Sequence, residues 1–100
     1  MKNVASVVIS CVLLGASGAV LAGDVDAGKA KAASCAGCHG ATGISSNPMW
    51  PNLAGQQSGY LVKQMKAFRD GTRNDPMMSP MAKPLTDTDI DNIAAYYNSL

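Results

Sequence analysis

The chain is 100 residues long, with eight lysines and arginines against seven acidic side chains, all aspartate, and a single histidine, giving a formal charge of +1. That length allows one domain, and so even a charge balance excludes the strong positive field with which a protein gathers nucleic acid. No internal repeat is present.

The first segment is expected to stand apart from that domain. Lys2 precedes an apolar run at residues 4–14, and a Gly/Ala/Ser stretch then ends in Val20-Leu21-Ala22. This order of charged, apolar and small-residue regions reads as an export signal, with cleavage after Ala22. An uncleaved anchor fits less well, because Asn3, Ser6, Ser10, Gly15, Ser17 and Gly18 dilute a run that needs about 20 predominantly apolar residues to span a bilayer. Cys11 invites a lipoprotein reading, but the apolar run continues past it, so it is expected to leave with the signal. The organisation is then 1–22 signal peptide and 23–100 mature domain, with no membrane span after cleavage. In that domain Lys29, Lys31, Lys63, Lys66, Arg69, Arg73 and Lys83 balance the seven aspartates. At this size a hydrophobic core alone is marginal, and a staple is commonly required.

Asp24 or Asp26 can cap a short helix through residues 27–33. Gly28 within it marks either a close backbone approach by another element or a frayed start. Next comes Cys35-Ala36-Gly37-Cys38-His39. Cys-x-x-Cys-His is the attachment pattern for a c-type haem: the thiols add across the two vinyl groups and the adjacent imidazole is carried onto the iron. A single helical turn can present both sulfurs to one edge of the macrocycle. A structural zinc site needs a second ligand pair, and His39 is the only histidine. A dithiol redox site would expect a preceding strand, which the sequence lacks. Outside the cytoplasm the two thiols could also form a disulfide, which competes with attachment. One motif implies one haem, and a covalently held apolar macrocycle would serve the domain as both staple and core.

Residues 40–52 hold Gly, Ser, Asn and Pro without regular period and read as a loop. At its end, a Pro51 carbonyl in a rigid segment could hold the second nitrogen of an iron-bound histidine, although a mere turn suits the spacing equally well. Trp50, the only tryptophan, suits core or haem-edge packing. Residues 58–71 form a helix, with Leu61, Met65 and Phe68 as an apolar stripe and Gly71 as the stop. Lys63, Lys66, Arg69 and Arg73 lie on a neighbouring arc, read first as a solvated face and second as a dock for an acidic redox partner. Residues 72–85 are expected to be a structureless connection stiffened by Pro76, Pro80 and Pro84. Met77, Met78 and Met81 within it are three candidate thioether ligands for haem iron, of which at least two only fill gaps. Thr86 with Asp89 then resembles a capping box, and Ile90, Ile93, Ala94, Tyr97 and Leu100 trace one face of a last helix, expected to pack against the Gly28 helix beside Tyr97.

Taken together, residues 23–100 resemble a class I c-type cytochrome, in particular one half of the two-haem bacterial periplasmic cytochromes c and their single-haem relatives. The resemblance runs through Gly23-Asp24 with Gly28, the Cys35 to Gly40 motif, Pro51-Asn52-Leu53-Ala54-Gly55-Gln56, Tyr60-Leu61 with Gln64, Phe68-Arg69-Asp70-Gly71, the methionine loop, Leu85-Thr86-Asp87 and Ile93-Ala94-Ala95-Tyr96. It implies an all-α cytochrome c fold with N- and C-terminal helices crossed around one covalent haem c, His39 as proximal ligand, and the Pro51 carbonyl accepting from its ring. It also selects Met78 as distal ligand, seven residues before Leu85. Trp50 departs from the pattern, since relatives often have a small residue there. The implied function is a periplasmic, monomeric, non-enzymatic electron carrier that meets redox protein partners transiently. A haem subunit of a larger dehydrogenase or oxidase complex is the alternative, and an open-site haem enzyme or gas sensor a further one.

Overall fold

The computed structural model describes residues 23–100; the expected signal segment 1–22 and its cleavage site lie outside the described residues. The helices in chain order are α1 (Val25–Lys31), α2 (Ala36–His39), α3 (Ser58–Asp70), α4 (Met78–Ala82) and α5 (Asp87–Asn98). One turn of 3-10 helix, Ala32–Ser34, joins α1 to α2. No strand occurs among the described residues, so the domain is all-α as expected.

Asp24, not Asp26, caps α1: its carboxylate accepts from the Ala27 N–H at 3.1 Å. α1 packs across α5, and the small residue at 28 decides how closely. Gly28 is buried, and a Cβ there would collide with the Asn92 carbonyl and press on the Tyr96 Cβ. The close crossing expected of Gly28 is therefore present, with Asn92 and Tyr96 as its nearest contacts. Asn92 also grips the start of the same helix, its Oδ1 accepting from the Asp24 N–H at 2.8 Å.

α3 ends at Gly71 in the left-handed conformation, φ 92°, and buries Leu61 and Phe68. Of its basic arc, two members serve the fold. Arg69 pairs with Asp87 at 2.8 Å and donates to the Leu85 carbonyl at 3.2 Å, fastening the end of α3 to the start of α5. Arg73 lies 4.4 Å over the Phe68 ring and donates to Gln64.

The segment 72–85 is not structureless, because α4 forms within it. Pro, Ser and Met supply no apolar period. The turn is nucleated instead by Asp75, whose carboxylate accepts from the Met77 and Met78 N–H groups at 2.9 and 2.8 Å. α4 then packs on α3, with Ala82 buried.

The capping box of α5 is complete: Thr86 Oγ1 accepts from the Asp89 N–H and the Asp89 carboxylate accepts from the Thr86 N–H, each at 3.0 Å. Ile90, Ile93, Ala94 and Tyr97 are buried as the period requires. Tyr96 is buried as well, because α5 is covered by α1 as well as by α3. Leu100 lies beyond the end of the helix and is exposed. The core brings Ala32, Leu61, Ile93, Ala94, Tyr96 and Tyr97 together, with Cys35, Leu53, Val62, Met65 and Leu85 around them.

Two outcomes follow from this packing. Gly28→Val forces α1 off α5 and lowers the stability of the haem-loaded protein by about 1–3 kcal/mol in urea unfolding. The second concerns the Asp89 carboxyl, held below its ordinary value of 3.8 chiefly by the Thr86 N–H, which outweighs the opposing effect of burial, with lesser help from the Thr86 hydroxyl and Lys31. A carboxyl with a depressed folded-state pKa contributes stability that is complete above the unfolded value and lost as pH falls through the folded one. The advantage of wild type over Asp89→Asn in the urea midpoint is therefore full at neutral pH and disappears as pH falls below the ordinary carboxylate range.

Candidate functional site

The Cys-x-x-Cys-His turn is built by local backbone bonds. The Cys35 carbonyl accepts from the Cys38 N–H at 3.2 Å and from the His39 N–H at 2.9 Å, winding α2 into a single turn. α2 stops at Gly40, φ 91°, where the Ile44 backbone lies against the position a Cβ would take. Only glycine combines that dihedral with that approach, and so the chain can double back into the loop.

The loop returns to meet the imidazole. Pro51 O lies 2.8 Å from His39 Nδ1, so the contact that the resemblance implied is made. A carbonyl can only accept, which places the ring proton on Nδ1 and leaves the Nε2 lone pair available. His39 is 6% exposed, and Nε2 has no hydrogen-bond partner among the described residues. A buried polar atom without a partner calls for a ligand.

Further contacts hold the Pro51 carbonyl in place. Leu53 and Ala54 N–H donate to the Gly43 carbonyl at 2.8 and 3.0 Å, and Ser45 N–H donates to Asn52 Oδ1 at 2.7 Å. The far end of the loop is tied to α5: Gly55 N–H donates to the Tyr97 carbonyl at 2.8 Å, and Asn98 Nδ2 donates to the Gln56 carbonyl at 2.9 Å. Trp50 is half-buried beside Pro51 in sequence.

Both thiols are free and half-buried. Burial pushes the Cys35 thiol up, against the smaller opposing effect of the Ser34 and Tyr97 hydroxyls. Tyr97, fully buried, is raised likewise, by burial first and by neighbouring Cys35 second. Cys35 therefore sits in surroundings that disfavour its thiolate. In keeping with this, no group of three or more His, Cys, Asp or Glu side chains could hold a bare metal ion among the described residues. Two thiols and one buried imidazole with an unpartnered nitrogen, all on one turn, fit a covalently attached haem.

The three methionines differ in exposure. Met77 and Met81 are 51% and 46% exposed, whereas Met78 is half-buried at the first position of α4. The sequence reading missed the groups that hold this turn, Asp75 and Ser79, although Asp75-Pro76 carries a legible turn signal: a carboxylate able to accept from backbone N–H groups two and three residues on, and a proline of fixed φ.

A helical domain of this kind, its imidazole fixed by a carbonyl beside two thiols, defines a c-type haem protein. The family description "Cytochrome c" matches residues 25–100. Cytochrome c-554(548) of Halomonas halodenitrificans is 49% identical over 81 residues, which is 78% of this chain and 98% of that protein. Cytochrome c4 of Pseudomonas aeruginosa is 50% identical over 78% of this chain but 39% of its own length. A thiosulfate dehydrogenase electron acceptor of Thiomonas intermedia is 47% identical over 70% of this chain and 33% of its own length. Among solved structures, reduced cytochrome c4 of Pseudomonas stutzeri superposes with a TM-score of 0.74 at 41% identity, covering 78% of this chain and 46% of that one. The chain thus spans between 39% and 53% of the cytochromes c4 it matches, and 98% of cytochrome c-554(548). It belongs to the cytochrome c family, and its cofactor is a covalently bound haem c.

Haem dependence of the fold follows from the half-buried thiols and the vacant nitrogen. Chain produced without haem attachment is expected to lose most of its helical circular-dichroism signal and to melt without a cooperative transition, while the haem-loaded protein shows both.

Proposed function

We propose that this chain is a single-haem electron carrier in which His39 and Met78 would hold the iron and Cys35 and Cys38 would bind the macrocycle. The observation that carries the reading is the 2.8 Å contact between His39 Nδ1 and the Pro51 carbonyl. With its proton committed there, the imidazole keeps one tautomer and one orientation, and its Nε2 becomes a stronger donor. Bound haem supplies a one-electron couple at its iron. A thioether is soft and neutral, and opposite a histidine it raises the reduction potential. With His39 and Met78 both holding the iron, no open position would remain for a substrate. That is the chemistry of a carrier and not of an enzyme.

The carrier reading extends to the cell. The export pattern of residues 1–22, cut after Ala22, delivers residues 23–100 to the periplasm as a monomer. There it exchanges electrons with other redox proteins over a small, transient interface. A second reading, an electron-accepting module of a larger dehydrogenase, is favoured by the similarity to a thiosulfate dehydrogenase electron acceptor. Stoichiometric co-purification with a catalytic subunit distinguishes it from a free carrier.

The ligand assignment is tested by substitution. Met78→Ala is expected to abolish the sulfur-to-iron absorption band of the oxidised protein and to let the reduced protein bind carbon monoxide at neutral pH. It is also expected to lower the potential by about 0.1 V or more, within the ~0.8 V range that axial ligation spans. Met77→Ala and Met81→Ala are expected to leave the band intact. Loss of the band in Met81→Ala but not in Met78→Ala overturns the assignment.

A further inference from the structure

α4 is five residues long, too short to persist by propagating its own hydrogen bonds, so its stability rests on what caps it. The cap is closed from both directions. Asp75 Oδ2 accepts from the N–H groups of Met77 at 2.9 Å and of Met78 at 2.8 Å. In return the Asp75 N–H donates to Ser79 Oγ at 3.0 Å, and the Ser79 N–H donates to the Asp75 carbonyl at 3.0 Å. Ser79 Oγ reaches on to the Arg73 carbonyl at 3.5 Å, joining the turn to the chain before it. Pro76, between Asp75 and the first methionine, has its φ fixed near the helical value.

We propose that Asp75 is a positioning residue for the Met78 thioether, fixing the backbone from which the sulfur reaches the iron. This rests on Met78 being the distal ligand. A methionine side chain has three rotatable bonds, so its sulfur is held at one point only if its own backbone is held. Asp75 bonds the amide of Met78 itself and that of the residue before it, which removes the freedom that the side chain cannot. Departure of the thioether from the iron would be easier from a loosened turn, and the closed cap holds the turn as it is. Removing the cap therefore shifts the balance towards a vacant sixth position, and an external ligand reads that shift directly.

The experiment uses oxidised, haem-loaded protein titrated with imidazole, following loss of the sulfur-to-iron band. Asp75→Ala is expected to raise the apparent imidazole affinity about tenfold, the scale of a lost helix cap. Asp75→Asn, whose side-chain oxygen still accepts, is expected to stay within about twofold of wild type. Asp24→Ala, which removes the cap of α1 instead, is expected to lower the melting temperature without changing imidazole affinity. Amide exchange at Met77 and Met78 is expected to accelerate in Asp75→Ala and not in Asp24→Ala. The proposal is overturned if Asp75→Ala binds imidazole as wild type does, if Asp75→Asn behaves like Asp75→Ala, or if Asp24→Ala shifts the affinity equally. A band that survives Met78→Ala sinks the ligand assignment instead, so the two failures are told apart.

Discussion

The bond between the His39 ring and the Pro51 carbonyl is the constraint on which the rest of the domain depends. Its two partners are twelve residues apart, on a helical turn and in a loop, and neither could hold the other in place unaided. Both are anchored to α5. On one side, α1 lies against α5 at Gly28 and Asn92, and the chain runs from α1 through a 3-10 turn into α2 and His39. On the other, Gly55 and Gln56 bind the last turn of α5, and Gly43 ties that segment back across the loop. The two routes from α5 converge at the imidazole, so a buried ring keeps one tautomer through contacts made far away in sequence. This also explains why a chain of such modest size can present a vacant nitrogen in an apolar setting: the desolvation cost of that atom is offset when a metal takes its lone pair.

Much of this was legible in the sequence wherever the signal is local. The Asp24 cap, the Gly71 stop and the Thr86–Asp89 box each involve residues within one turn of one another, and each forms as read. The attachment motif is equally local. What the sequence did not disclose depends on partners distant in the chain. Tyr96 falls off the stripe traced for α5, yet it is buried because α1 and α3 cover two sides of that helix. Arg69 and Arg73 read as members of a solvated arc, but one reaches the start of α5 and the other covers an aromatic ring. α4 is the instructive exception. Its signal was local, in Asp75-Pro76, but the helix is too short to show a period and carries a proline at position 80 that argued against it.

The two sides of the proposed iron site are consequently built in different ways. On the histidine side, the ring is held by a bond that spans the domain, and Gly55 and Gln56 connect its loop to the last helix. To free it, the α1–α5 crossing or the loop closure must break, which is a large part of global unfolding. On the methionine side, the contacts are mostly local: an aspartate capping its own turn, a serine returning the bond, and Arg69 clasping the far end of the loop at Leu85 and Asp87. Local contacts of this kind open with a small fraction of the global free energy, since few buried groups are exposed when they do. The asymmetry suits a carrier. One proposed ligand is fixed by the fold as a whole and the other by a short segment held by its own hydrogen bonds, so if Met78 is the distal ligand, the hold on its thioether would be set by a handful of residues between Asp70 and Asp87.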